Sequence, residues 1–109
     1  MFNFLMDAYN PNRGVGRYEE GQVIVDTCSV SDGRCIYETG VMHPEYNDGK
    51  FVIVSAYDTE EEARQGHDQW VKTMTADTLP DKLVDCCNSE LAQIGKDFGM
   101  ETVFPRAIT

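Results

Sequence analysis

Phe51-Val52-Ile53-Val54-Ser55-Ala56-Tyr57-Asp58-Thr59-Glu60-Glu61-Glu62-Ala63 contains an abrupt change of period. Residues 51–57 are rich in β-branched and aromatic side chains and read as a strand. Asp58 and Thr59 interrupt the run. Thr59 followed three residues later by Glu62 is the pattern of a capping box, in which each side chain satisfies backbone N–H groups of the first helical turn. The acidic cluster Glu60-Glu61-Glu62 also suits the positive end of a helix dipole. Ala63, Gly66, His67, Trp70, Val71 and Met74 then recur at three- and four-residue steps and form one helical face, with Glu61, Arg64, Gln65, Asp68, Gln69 and Lys72 opposite. Pro80 places the end of this helix near Ala76.

Working back from Phe51, residues 35–43 and 22–30 read as two further strands. They are joined by Ser31-Asp32-Gly33-Arg34 and followed by the longer turn His43-Pro44-Glu45-Tyr46-Asn47-Asp48-Gly49-Lys50. Each loop contains Asp-Gly, a pair that favours hairpin turns. The expected fold class is therefore α+β: a three-stranded antiparallel β-meander packed against an amphipathic helix. If Asp32 and Gly33 are the two residues of a tight loop, Val30 faces Cys35 and Cys28 faces Tyr37. Cys28 and Cys35 are then diagonal neighbours about 7–8 Å apart, too far for easy disulfide geometry.

Working forward, Pro80 can open a further C-terminal helical segment. Leu83, Val84, Cys87, Leu91, Ile94 and Phe98 would line its face, unless Asn88-Ser89 breaks it. Thr102-Val103-Phe104 has some strand character. Residues 1–20 read as an irregular N-terminal arm around the turn-rich Asn10-Pro11-Asn12-Arg13-Gly14-Val15-Gly16. The expected organisation is an arm over 1–20, a single α+β domain over 21–99 and a tail over 100–109. The arm carries Phe2, Phe4, Leu5, Met6 and Tyr9, and the tail carries Phe104. These apolar residues are the expected assembly contacts.

Composition narrows the function classes. The 109 residues suit one domain. Nine Lys and Arg against 19 Asp and Glu give a net charge of −10. That argues against direct binding of nucleic acid, which needs a basic face, and against an anionic membrane surface. It is compatible with solubility, a basic protein partner, or mimicry of nucleic acid. The segment Met1-Phe2-Asn3-Phe4-Leu5-Met6-Asp7 lacks the basic region, apolar core and cleavage site of a signal peptide, so a cytoplasmic site of synthesis is expected. Reduced thiols follow for Cys28, Cys35, Cys86 and Cys87.

No catalytic residue, cofactor or metal site is assigned. The four cysteines with His43 and His67 would suffice for zinc in number, but no C-x-x-C pair is present, and small core cysteines explain them better. His67 shares its stripe with Trp70 and reads as a partly buried histidine with one ring nitrogen bonded and the other edge packed. Gly14-Val15-Gly16 lacks the continuation of a phosphate-binding loop. An enzyme is therefore not expected.

One set of residues goes beyond these generic readings. Tyr37-Glu38-Thr39-Gly40-Val41, His43-Pro44, Tyr46-Asn47-Asp48-Gly49-Lys50-Phe51-Val52-Ile53-Val54, Tyr57-Asp58-Thr59, Glu61-Glu62-Ala63, Gly66-His67, Trp70-Val71, Met74-Thr75-Ala76-Asp77 and Leu79-Pro80 occur in that order. Together they resemble a family of small proteins encoded in tailed-bacteriophage and prophage genomes. The resemblance covers residues 21–85 and brings no assigned activity or catalytic residue. Cys86-Cys87 departs from the family pattern. The resemblance implies a phage origin. The expected role is a virion-associated structural protein that binds other phage structural proteins as repeated copies in a symmetric assembly. The alternative is a small acidic inhibitor of a host or defence protein.

Overall fold

The computed structural model describes residues 14–30, 36–86, 99 and 102–107. Its main element is an antiparallel sheet of four strands: β1 (Gly14–Glu20), β2 (Val23–Ser29), β3 (Tyr37–Met42) and β4 (Val52–Tyr57), in that spatial order. Helix α1 (Glu60–Met74) lies across one face of the sheet and touches all four strands. A two-stranded ribbon, β5 (Lys82–Val84) with β6 (Val103–Pro105), adjoins β4.

The α+β class holds, and the meander gains a strand. Residues 14–20, expected to be irregular, form the edge strand β1. Gly14, Gly16 and the charged residues between Gly16 and Gly21 hide that strand from propensity. It forms because β2 offers a full ladder, from Gly14 opposite Cys28 to Glu20 opposite Val23. Gly21 and Gln22 close the hairpin, and Gly21 has the positive φ, 61°, that a type II′ turn requires of its first central residue.

The β2–β3 register differs by one residue from the tight-turn expectation. Ser29 faces Tyr37 and Cys28 faces Glu38. Val30 donates its N–H to the Ile36 carbonyl at 2.7 Å. The physical reason lies in the core. This register pairs Val25 with Val41 and Thr27 with Thr39, all four at most 1% exposed. The expected register would have set Glu38 opposite Thr27 on the buried face. A one-residue slip exchanges the two faces of a strand, so burial decides the register. Cys35 lies outside the described residues.

The turn after β3 contains a 3-10 segment, Asn47–Gly49, in which all three residues have positive φ: 50°, 53° and 79°. Asn, Asp and Gly are the residue types that tolerate this region best. The turn drives Tyr46 inward to 1% exposure, where its hydroxyl donates to the Pro80 carbonyl at 2.5 Å. Between β3 and β4, Thr39 faces Ser55 but Gly40 faces Ile53, so Val54 is the extra residue of a β-bulge.

Helix α1 is capped by Thr59, whose Oγ1 accepts from the Glu62 N–H at 3.2 Å. The Glu62 carboxylate reaches back to the Asp58 N–H at 3.3 Å, one residue before the cap. The helix ends at Met74, close to the expected stop.

The expected helix after Pro80 is corrected over its first residues. Leu83 and Val84 lie on β5, paired with Phe104 and Val103 of β6. Leu-Val is too short a run for periodicity to separate strand from helix. The ladder supplied by residues 103–105 decides it. Cys87, Leu91, Ile94 and Phe98 lie outside the described residues.

The core is formed by Val25, Val41, Tyr46, Val52, Val54, Met74 and Leu83, with Tyr18, Val23, Trp70, Val71, Leu79 and Phe104 packed around it.

Candidate functional site

The two faces of the sheet differ in chemistry. The face under α1 carries Gly16 and Tyr18 from β1, Val25 and Thr27 from β2, Thr39 and Val41 from β3, and Ser55 and Tyr57 from β4. At its centre runs a chain of hydrogen bonds. His67 Nδ1 meets Thr27 Oγ1 at 2.7 Å, Thr27 meets Thr39 at 2.6 Å, and Thr39 meets the Tyr57 hydroxyl at 3.0 Å. Trp70 Nε1 donates to Ser55 Oγ at 2.8 Å. Burial lowers the His67 pKa below its ordinary value, against an opposing pull from Asp68. His67 is thus a neutral imidazole at pH 7, fixed on one side by Thr27. Gly16 packs on its other edge: a Cβ there would lie 2.8 Å from Cδ2 and Nε2. His67 and Trp70 therefore belong to a polar seam that holds the helix on the sheet.

The opposite face holds a cavity of about 130 Å³ lined, among the described residues, by Asp26, Cys28, Glu38, Gly40, Phe51 and Ile53. The register builds it. Asp26, Gly40 and Ile53 stand side by side across β2, β3 and β4, and Cys28 with Glu38 forms the next row on that face. Gly40 provides the hollow, since a Cβ there would approach Phe51 Cδ1 to 3.1 Å and Ile53 Cδ1 to 3.4 Å.

Asp26 is only 6% exposed. Arg17 Nη1 donates to its Oδ2 at 3.4 Å, while Arg17 Nη2 also serves Glu19 at 3.0 Å. Asp26 Oδ1 is buried and has no hydrogen-bond partner. Burial pushes the Asp26 pKa up, and the Arg17 guanidinium offsets this only in part. The site therefore combines apolar walls with a half-satisfied carboxylate, an arrangement that costs the isolated chain stability.

Phe2, Phe4, Leu5, Met6 and Tyr9 lie outside the described residues. Phe104 lies on β6 opposite Leu83, half-buried against the core. Among the described residues no three His, Cys, Asp or Glu side chains converge as metal ligands, and no helix is long and apolar enough to cross a membrane. Asp26 and Gly40 were not singled out from the sequence. The available signal was an acid inside the apolar run Val23-Ile24-Val25-Asp26-Thr27.

Comparison of the chain with protein-family models, curated proteins and solved structures found no match.

Proposed function

We propose that this chain is a non-enzymatic structural protein of a tailed-bacteriophage virion, a decoration, connector or tail accessory subunit, made in the bacterial cytoplasm and acting through protein–protein contacts. The observation that carries the reading is the sheet face away from α1. It is concave, walled by Cys28, Gly40, Phe51 and Ile53, and holds an unsatisfied carboxylate. Such a surface fits an inserted group of a neighbouring protein better than it fits water. The edge strand β1 adds a second surface of the kind that proteins use to join sheets. The phage origin rests on the ordered residue pattern across β3, β4 and α1. The expected partners are other phage structural proteins, met as repeated copies under symmetry. Mass spectrometry of purified particles tests the reading: the chain is expected in stoichiometric amounts, and its absence from particles overturns it.

A second reading is favoured by charge. Asp58, Glu60, Glu61 and Glu62 are exposed at the start of α1 and Asp68 is exposed at its middle, and the chain carries −10 overall. An acidic inhibitor of a host or defence protein would use such a surface in place of nucleic acid. Salt-sensitive capture of a basic host protein is expected in that case. Binding unchanged after neutralising these carboxylates would refute it.

A further inference from the structure

The two ends of the sheet are closed differently. At one end Cys86 donates its N–H to the Ile53 carbonyl of β4 at 2.6 Å, and the β5–β6 ribbon adjoins. At the other end β1 pairs with β2, and among the described residues no strand meets its outer edge. Monomeric proteins blunt such an edge with Pro, Lys or a bulge. Strand β1 contains neither Pro nor Lys, and its bulge is confined to the Gly14–Gly16 end. From Gly16 opposite Thr27 to Glu20 opposite Val23 the register is unbroken. The edge therefore offers a regular stretch centred on Tyr18.

We infer that the outer edge of β1 is a self-association surface: two copies of this chain pair antiparallel through β1, about a two-fold axis at Tyr18, and join their sheets into one. The residues of β1 select both the partner and the register. In an antiparallel pair with two-fold symmetry, the residue at the axis faces itself. An axis at residue 17 sets Arg17 against Arg17, and an axis at residue 19 or 20 sets Glu against Glu. Like charges directly opposite are destabilising. An axis at Gly16 runs into the bulge. An axis at Tyr18 sets Tyr18 against Tyr18, an aromatic pair, and sets Arg17 of each copy opposite Glu19 of the other. Glu20 then falls opposite Gly16, which has no side chain to oppose it. Arg17 and Glu19 already meet within one strand at 3.0 Å, and Arg17 also meets Asp26. The dimer therefore brings together groups that are already paired and strips no isolated charge of water. The inference rests on the reading of this chain as a subunit met in repeated copies, and names the contact between copies.

The test is sedimentation of the full chain from micromolar to millimolar concentration. It is run at physiological salt, where repulsion between two chains of −10 is screened beyond about 8 Å. A concentration-dependent dimer is expected, and a monomer throughout the range overturns the inference. Glu19→Arg sets two Arg–Arg pairs across the axis and should raise the dimer Kd about tenfold or more. Arg17→Glu sets two Glu–Glu pairs and should do the same. An equimolar mixture of the two variants restores both opposite-charge pairs, so it should dimerise about tenfold more tightly than either variant alone. A mixture no better than its components overturns the assignment. If Arg17→Glu fails to fold, isotope-filtered NOEs between labelled and unlabelled wild-type copies decide. Contacts from residue 18 to residue 18 and from residue 17 to residue 19 are expected, and an interface elsewhere on the chain overturns the inference. Particle composition separates this inference from the reading it rests on. A chain found in virions that stays monomeric in solution refutes the β1 pairing only. A chain absent from virions that dimerises through β1 refutes the virion role only.

Discussion

Gly66→Ala should destabilise this protein, although alanine is the better helix former. Gly66 is interior to α1, where glycine costs about 1 kcal/mol relative to alanine. The structure explains why it is there. A Cβ at residue 66 would sit well under 3.0 Å from Oη, Cε1 and Cζ of Tyr57. Ordinary carbon contacts need about 3.5–4.0 Å, so the ring has to leave. Leaving breaks the 3.0 Å bond between the Tyr57 hydroxyl and Thr39, worth about 1 kcal/mol. It also strains or exposes a ring packed between β4 and α1, at about 1–3 kcal/mol for overpacking. Subtracting the helix-propensity gain leaves a net loss of about 2 kcal/mol, or a Tm lower by about 10 °C in a domain of this size. A double-mutant cycle makes the test sharper. In a Tyr57→Ala background the clash is gone and only propensity remains, so Gly66→Ala should become stabilising by about 1 kcal/mol. Urea unfolding of the four proteins measures both steps. A stabilising Gly66→Ala in the wild-type background, or the same sign in both backgrounds, would refute the packing of α1 on Tyr57.

Asp26→Asn keeps the side-chain shape and removes a charge that burial disfavours more than Arg17 favours it; Arg17 keeps its pairing with Glu19, so stability at pH 7 should rise by up to about 1 kcal/mol, less whatever the lost Arg17 contact contributed. Burial holds the folded Asp26 pKa above 3.8, so the wild type gains stability as pH falls through that window; denaturant midpoints of the two proteins should differ at pH 7 and meet below pH 3.8. The His67 pKa is lowered from 6.5 in the folded state, so the unfolded chain binds the extra proton first; its contribution is complete above about pH 6.5 and is lost on acidification below it, a slope that His67→Gln should remove from urea midpoints measured against pH. Phe104→Ala should cost about 2 kcal/mol in the isolated chain if β6 packs on the core as described; unchanged stability with loss of assembly would return Phe104 to the role of an external contact. Leu83→Ala should cost about 2–5 kcal/mol in thermal or denaturant melts, because Leu83 is 2% exposed.

Residues 51–74 were legible because three independent signals coincide there: β-branched residues, a cap at Thr59 and a helical stripe from Ala63 to Met74. The helical face read from spacing is the face that packs, with Ala63 and Met74 buried and His67 and Trp70 at the seam. Strand β1 was not legible because its stability is borrowed. Gly14-Val15-Gly16 has little strand propensity, and only the ladder on β2 organises it. The 28–38 register was missed for a related reason. Asp-Gly does favour a tight turn, but local turn chemistry is worth less than burying Thr27 and Thr39 together while leaving Glu38 on the other face. Leu83 and Phe104 are 21 positions apart and recognise each other only through tertiary pairing. The cavity is harder still to read. It depends on Asp26, Gly40 and Ile53 aligning across three strands, and the bulge at Val54 is needed for that alignment.

The two faces of the sheet differ in how fully their polar groups are satisfied. His67 attracts attention on reading the sequence for chemistry, and Trp70, Thr27, Thr39, Ser55 and Tyr57 join it in one seam. Each has a hydrogen-bond partner on another element, and together they close the helix onto the sheet. A seam of this kind specifies one docking geometry, because a shifted helix would leave buried hydroxyls unpaired. Asp26 breaks the pattern. It is more buried than His67, sits in an apolar strand, and leaves one carboxylate oxygen unbonded. Natural sequences agree across levels except at positions that serve something other than the isolated fold. An isosteric asparagine was available at that position and would have relieved the burial of charge.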